Sequence, residues 1–156
     1  MPVMDIEEQL LKKPFPVSKL KWREGPKGKE LVYIDARDVM NRLDEVCGPK
    51  MWKCSITRTP DAVNHCTVSI YSNILNEWVD KSDGSEDTKI EPIKGGISEA
   101  FKRAAVHWGI GRYLYHPGAF DENRNPAYWA TPEGYDEIMD KRSLSAVVTP
   151  VSPSTK

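Results

Sequence analysis

Lys94-Gly-Gly-Ile-Ser-Glu-Ala-Phe-Lys-Arg-Ala-Ala-Val-His-Trp-Gly-Ile-Gly-Arg-Tyr-Leu-Tyr115 is the longest stretch of the chain with helical periodicity. At about 100° per residue, Ile97, Phe101, Ala104, Trp108 and Tyr115 fall within roughly ±40° on the helical wheel and form one apolar stripe. The opposite face mixes Glu99, Lys102 and Arg103 with Val106, Ile110 and Tyr113. A helix apolar on two sides needs cover on two sides. One cover is expected to be a sheet of the same domain, the other a neighbouring subunit. Gly109 and Gly111 would each cost about 1 kcal/mol inside a helix, so they mark a closely passing backbone, a kink or a helix end. On these features alone, a core helix with solvated charges accounts for the segment as well as a binding helix does.

Working outward, 52–59 alternates Trp52, Cys54 and Ile56 against Lys53, Ser55 and Thr57. Residues 66–74 alternate in the same way, with Cys66, Val68 and Ile70 inward, and 76–81 is a third strand after a tight turn. Together they predict an antiparallel meander with one wet face. The polar, acidic run 82–89 predicts an exposed loop before the long helix. Upstream, Asp35 is placed to cap a helix carrying Val39, Leu43, Val46 and Cys47, which Gly48 and Pro49 stop. Before it, 18–24 and 30–35 form a hairpin around Gly-Pro-Lys-Gly-Lys, with Trp22 and Tyr33 as its large side chains. The hairpin carries Lys19, Lys21, Arg23, Lys27 and Lys29, which suit either a solubilised sheet edge or a basic, aromatic ribbon that tracks a phosphate backbone.

At the N-terminus, residues 5–12 predict a short helix with Ile6, Leu10 and Leu11 inward, ended by Pro14 and Pro16. Downstream of Tyr115, Pro117, Pro126 and Pro132 with Tyr128 and Trp129 predict an irregular wrap, then a short helix at 133–141. Residues 143–156 are rich in Ser, Thr and Pro and read as a tail. The fold class is therefore α+β: an antiparallel β-meander with one long helix packed on it. The organisation is an arm at 1–16, a domain at 17–141 and a flexible tail at 142–156.

The 156 residues suffice for one domain, and a 39% hydrophobic content can build its core. A net charge of −1 gives no global basic signal, so any polyanion must be met by a local patch. Cys47, Cys54 and Cys66 are odd in number and lack CxxC spacing, as expected of reduced thiols in a cytosolic-type compartment. Cys54, His65 and Cys66 could offer metal ligands, but with one His and no second close pair the set is weak. No apolar run reaches membrane-span length and no signal-peptide core is present; a soluble, non-secreted protein is expected.

No Gly-x-Ser-x-Gly, Walker loop or HExxH is found. The lack of a Walker loop argues against an ATP-driven motor. One enzymatic alternative stands: Pro60-Asp61 followed by Asp87-Thr88-Lys89 matches the loose pattern of PD-(D/E)xK-like nucleases, in which Asp61 and Asp87 would hold Mg²⁺ and Lys89 would position the attacking water.

Three stretches resemble the Rad-fifty-two type of single-strand annealing proteins, a superfamily with DdrA-like bacterial and Sak-like phage branches. They are Arg23 with Tyr33 and the residues running from it to Trp52, then Trp52-Lys-Cys-Ser-Ile with the strands after it, and the Ala-Phe-Lys-Arg-Ala core with its trailing Gly-Ile-Gly. The likeness covers about 17–116 and is greatest to the DdrA-like branch. It implies a β-β-β-α core, assembly into rings or helical oligomers, and ATP-independent binding and annealing of single-stranded DNA in repair and homologous recombination. It implies no enzymatic activity, no cofactor and no metal. By matching position, the DNA groove would hold Arg23, Lys94, Lys102 and Arg103, with Tyr33 nearby. The chain departs from the eukaryotic pattern at Val106, where those members have a further arginine, so groove charge would come from Arg112, His107, Lys27 or Lys29. The implied partners are single-stranded DNA, further copies of the chain and other recombination proteins. The implied setting is the nucleoid and cytoplasm of a bacterial or phage-infected cell. A ring-forming protein with no nucleic-acid role is the remaining alternative.

Overall fold

Strand β4 (Val63–Ser72) is the centre of the structure, a computed structural model that describes residues 6–89 and 91–148, with side chains to residue 142. It pairs antiparallel with β3 (Trp52–Arg58) on one side and β5 (Glu77–Glu86) on the other. Cys66, Val68 and Ile70 point to one face and are at most 2% exposed. Side-chain alternation sends His65, Thr67 and Tyr71 to the opposite face.

Helix α3 (Pro92–His107) covers the apolar face. It turns Gly96, Ala100, Phe101, Ala104 and Ala105 inward, a mostly small set that lets the helix axis lie close to the sheet. The Trp108 indole N–H then donates to the Val68 carbonyl at 2.9 Å. The order is thus three strands and a helix, the α+β meander expected.

The helix ends earlier than its periodicity suggests. Gly109 and Gly111 have φ of 94° and 73°, the left-handed region, and close α3 at His107 instead of continuing it to Tyr115. Arg112–Tyr115 is a separate 3₁₀ turn. A side chain at Gly109 would also strike Lys12, whose Cγ would lie 2.5 Å from the added Cβ.

The run 82–86 is strand, not loop. It continues β5 and pairs with 63–67. Its polarity does not oppose this, because its side chains find polar partners: Ser82 shares a hydrogen bond of 2.7 Å with Thr67, and Asp83 meets Arg103 and His107 of α3. β4 correspondingly begins at Val63 and ends at Ser72, leaving Ile74 exposed in the turn.

Strands β1 (Lys21–Glu24) and β2 (Glu30–Tyr33) form a separate two-stranded sheet. Helix α2 (Ala36–Cys47) follows, with Asp35 at its N-cap and the Asp38 carboxylate accepting the Asp35 N–H at 3.2 Å. It buries Val39 and Leu43 and, unexpectedly, Arg42. The Arg42 guanidinium donates to the carbonyls of Leu10, Leu11 and Lys13 and lies 4.0 Å from the Phe15 ring centroid. It thereby satisfies the C-terminal carbonyls of α1 (Ile6–Lys12). In α1 itself Leu11 is buried, whereas Ile6 and Leu10 are exposed.

After the 3₁₀ turn, 116–131 wraps irregularly, pinned by His116 edge-on to Trp129 and by a bridge between Phe120 and Pro126. Helix α4 (Pro132–Val148) runs past 141, and residues 149–156 of the expected tail lie outside the described residues. The three cysteines are free thiols. Burial pushes Cys47 and Cys66 up to about 12, so both are neutral at ordinary pH. No helix among the described residues is long and apolar enough to cross a membrane.

Candidate nucleic-acid interface

A cleft of about 1080 Å³ opens between the β1–β2 hairpin, α3 and the 115–122 segment. Its floor is apolar, with Ile34, Val39, Val106 and Ile110 among its residues. This is the second side of α3 that the sequence left in need of cover. Covalent neighbours of the sheet provide that cover in part: Tyr33 and Ile34 come from the end of β2 and Val39 from α2.

The cleft's cations are set by one ring. Tyr33 has the Arg23 guanidinium 5.8 Å and the Lys102 ammonium 5.2 Å from its centroid. Antiparallel register places Arg23 opposite Leu31, two residues before Tyr33 on the same strand. That diagonal spacing lets a long side chain on β1 reach a ring on β2. Lys102 comes from the helix, one turn after Ser98 and Glu99, which also line the cleft.

Lys29 lines the cleft as well, while Lys27 is exposed in the hairpin turn with φ of 61°. Lys94 is exposed in the first turn of α3 and is not part of the cleft wall. Arg103 lies on the flank of the helix. Its Nε is 3.4 Å from Asp83 Oδ1, and the other Asp83 oxygen meets His107 Nε2 at 3.0 Å. Burial alone would raise the Asp83 carboxyl, but the Gly84 N–H, His107 and Arg103 outweigh it and hold it low. Arg112 is engaged elsewhere: Nε donates to the Val106 carbonyl at 3.0 Å and Nη2 to that of His107 at 2.8 Å, which caps the end of α3. The groove charge expected of Arg112 is thus largely directed at the helix terminus.

The walls also carry Glu30, Glu91, Glu99, Asp121 and Glu122. Several of these are already compensated. Arg124 grips Glu30 with two N–H groups and lowers its pKa. Glu99 lies 3.8 Å from Lys102, and Asp121 accepts the backbone N–H groups of Asn123 and Asn125.

Two aromatic features escaped the spacing argument. Trp22 packs edge-on to Phe120 with centroids 5.2 Å apart, and the Arg124 guanidinium lies 5.1 Å from the Trp22 ring, fastening the hairpin to the 116–126 wrap. Tyr115, assigned to an apolar helical stripe, stands exposed at the cleft mouth because the helix stops before it. The paired glycines were the available signal.

The alternative chemistries find other uses for their residues. Asp87 takes two hydrogen bonds of 2.6 Å from Arg58 and one of 3.0 Å from Asn64, which hold its carboxyl at about 2. It ties the end of β5 to β3 and β4, while Asp61 and Lys89 are exposed. Strand alternation puts His65 and Cys66 on opposite faces, so Cys54, His65 and Cys66 do not converge. Among the described residues, no group of three or more His, Cys, Asp or Glu side chains is arranged to hold a metal ion.

Comparison with known proteins adds an independent line. Residues 5–128 match the model of the Rad52/22 family double-strand break repair protein. The chain is 34% identical over 126 residues to a single-stranded DNA-binding protein DdrA of Deinococcus deserti, covering 74% of this chain and 59% of that one. It is 30% identical over 150 residues to the DdrA of Deinococcus radiodurans, covering 85% and 71% respectively. The chain therefore spans about three fifths of the first relative's length and about seven tenths of the second's.

Proposed function

The chain belongs to the Rad52/22 family of double-strand break repair proteins, and from that premise we propose that it binds single-stranded DNA in the cleft between the β1–β2 hairpin and α3 and pairs complementary strands without nucleotide hydrolysis. The observation that carries this reading is the placement of Arg23 and Lys102 around Tyr33. Two cations from different elements, registered by one ring, form a short track for consecutive phosphates. Such contacts neutralise the backbone without reading sequence and leave base edges free to find a complement. Pairing releases free energy by itself, so no fuel is required. Single-stranded DNA binding by the two DdrA relatives is consistent with this use of the cleft.

A subunit of net charge −1 with a cleft that also carries carboxylates cannot hold a strand tightly alone. Self-assembly into a ring or helical oligomer resolves this, because a repeated short track gains avidity along one strand. The edge strand β3, with Ile56 40% exposed on the α3-facing side of the sheet, suits contact with another copy. The proposed setting is DNA repair and recombination, with recombination proteins as further partners.

The test is fluorescence anisotropy with a labelled oligonucleotide, followed by annealing of two complementary labelled strands without ATP and with Mg²⁺ present. Salt-sensitive binding and strand pairing are expected. Strand degradation, or no binding at low salt, would overturn the reading.

A further inference from the structure

Tyr115 is the one cleft aromatic whose ring is uncommitted among the described residues. Trp22 and Phe120 pack on each other, and Arg124 lies over Trp22. Tyr33 carries Arg23 and Lys102. Tyr115 has no ring contact, no cation over its face and no side-chain hydrogen bond among the described residues, and it is 71% exposed. It is held in place nonetheless. Gly111 reverses the chain into the 3₁₀ turn, and the neighbouring Tyr113 hydroxyl accepts the Phe15 N–H at 3.0 Å. Partial shielding of its hydroxyl from water, followed by Glu99, raises its pKa, and its ring shares the cleft wall with Arg23 and Lys102.

A large, mostly exposed ring in a cleft that also holds Arg23 and Lys102 has the chemistry of a single-strand platform. Phosphate contacts supply salt-dependent affinity, and an aromatic face supplies stacking that tolerates any base. We propose that Tyr115 stacks on a nucleobase of the strand whose phosphates are held by Arg23 and Lys102. The inference rests on the single-strand reading above and adds the residue that touches bases. Asp83 and Glu99 do not oppose it, since Asp83 is engaged by Arg103 and His107 and Glu99 faces Lys102.

The experiment compares an oligothymidylate with an abasic oligonucleotide of equal length, using anisotropy across a salt series and the assembly size of each protein. Tyr115→Ala should weaken oligothymidylate binding about tenfold, within the range measured for single base–aromatic stacks. Its salt slope should stay unchanged, and it should bind the abasic strand as the wild type does. Tyr115→Phe should bind both strands as the wild type does. Unaltered oligothymidylate affinity in Tyr115→Ala would overturn the inference while leaving the single-strand reading standing. Equal losses on both strands with a changed assembly size would also overturn it, and would assign the ring to contact between copies. A wild-type protein that binds neither strand would remove the single-strand reading and this inference together.

Discussion

The Lys102 ammonium on α3 and the Tyr33 ring at the end of β2 lie 5.2 Å apart, ammonium to centroid. The Arg23 guanidinium on β1 reaches the same ring at 5.8 Å. A two-stranded hairpin and a helix that belongs to another sheet are thus registered through one aromatic side chain. The two cations thus converge on one ring, and on the proposed reading they are the groups that meet the phosphates of the strand.

Tyr33→Ala removes the ring that registers both cations. Each exposed cation–π contact is worth about 0.5–1 kcal/mol, and the two together about 1–2 kcal/mol, so single-strand affinity should fall about five- to thirtyfold. Tyr33→Phe, which keeps the face, should bind within about twofold of wild type. Anisotropy at one fixed salt concentration checks both.

The clamp at Asp87 predicts a specific acid sensitivity. Arg58, and after it Asn64, hold this carboxyl at about 2, below its ordinary 3.8. A depressed folded value means the unfolded chain binds more protons between the two, so stability rises with pH through that window. The contribution is complete above about pH 4 and is lost as pH falls toward about 2. Thermal midpoints measured across this range should fall more steeply in the wild type than in Asp87→Asn.

Arg42→Ala leaves three carbonyls, those of Leu10, Leu11 and Lys13, without their shared donor and uncovers the Phe15 ring. The expected loss is about 2–4 kcal/mol. Urea unfolding of Arg42→Ala and Arg42→Lys should show the larger loss in the alanine variant, because lysine restores a donor but not the flat stack on Phe15.

Gly96→Ala should destabilise the protein although alanine is the better helix former by about 1 kcal/mol. An added Cβ would sit 2.3 Å from Asn64 Nδ2 and 3.1 Å from the Glu86 carbonyl. Asn64 is fully buried and hydrogen-bonded to Asp87, so it has little room to retreat. Denaturant midpoints of Gly96→Ala and wild type decide the sign.

These positions also show what a single sequence makes legible. The α2 helix was readable end to end, because Asp35 and the Gly48-Pro49 pair are local signals at the places where the helix starts and stops. Strand β4 was readable in its core because alternation shows when one face is buried. The end of α3 was not, since a helical wheel treats a glycine within a helix and a glycine at φ of 94° alike. Misplacing that end is what hid Tyr115 at the cleft mouth. The second half of β5 was hidden for another reason: its own side chains are small or polar and pair as such, Ser82 with Thr67 and Asp83 with Arg103 and His107, which leaves no hydrophobic period. Nothing local singles out Arg42, because its acceptors, 29 to 32 residues away in the chain, come together only in the folded state. Spacing alone could not bring Arg23, Tyr33 and Lys102 into one cleft; only the family resemblance suggested that they belong together.

The most direct test of the proposed strand-binding cleft is the salt dependence of single-stranded oligonucleotide binding in wild type and in Lys102→Ala/Arg103→Ala. For a single strand, the logarithm of affinity falls with the logarithm of salt by about 0.7 per phosphate neutralised. The double variant should bind more weakly at low salt, with its slope shallower by up to about 1.4 per subunit engaged, while its assembly size is retained. Identical affinity and slope in the two proteins would contradict the account.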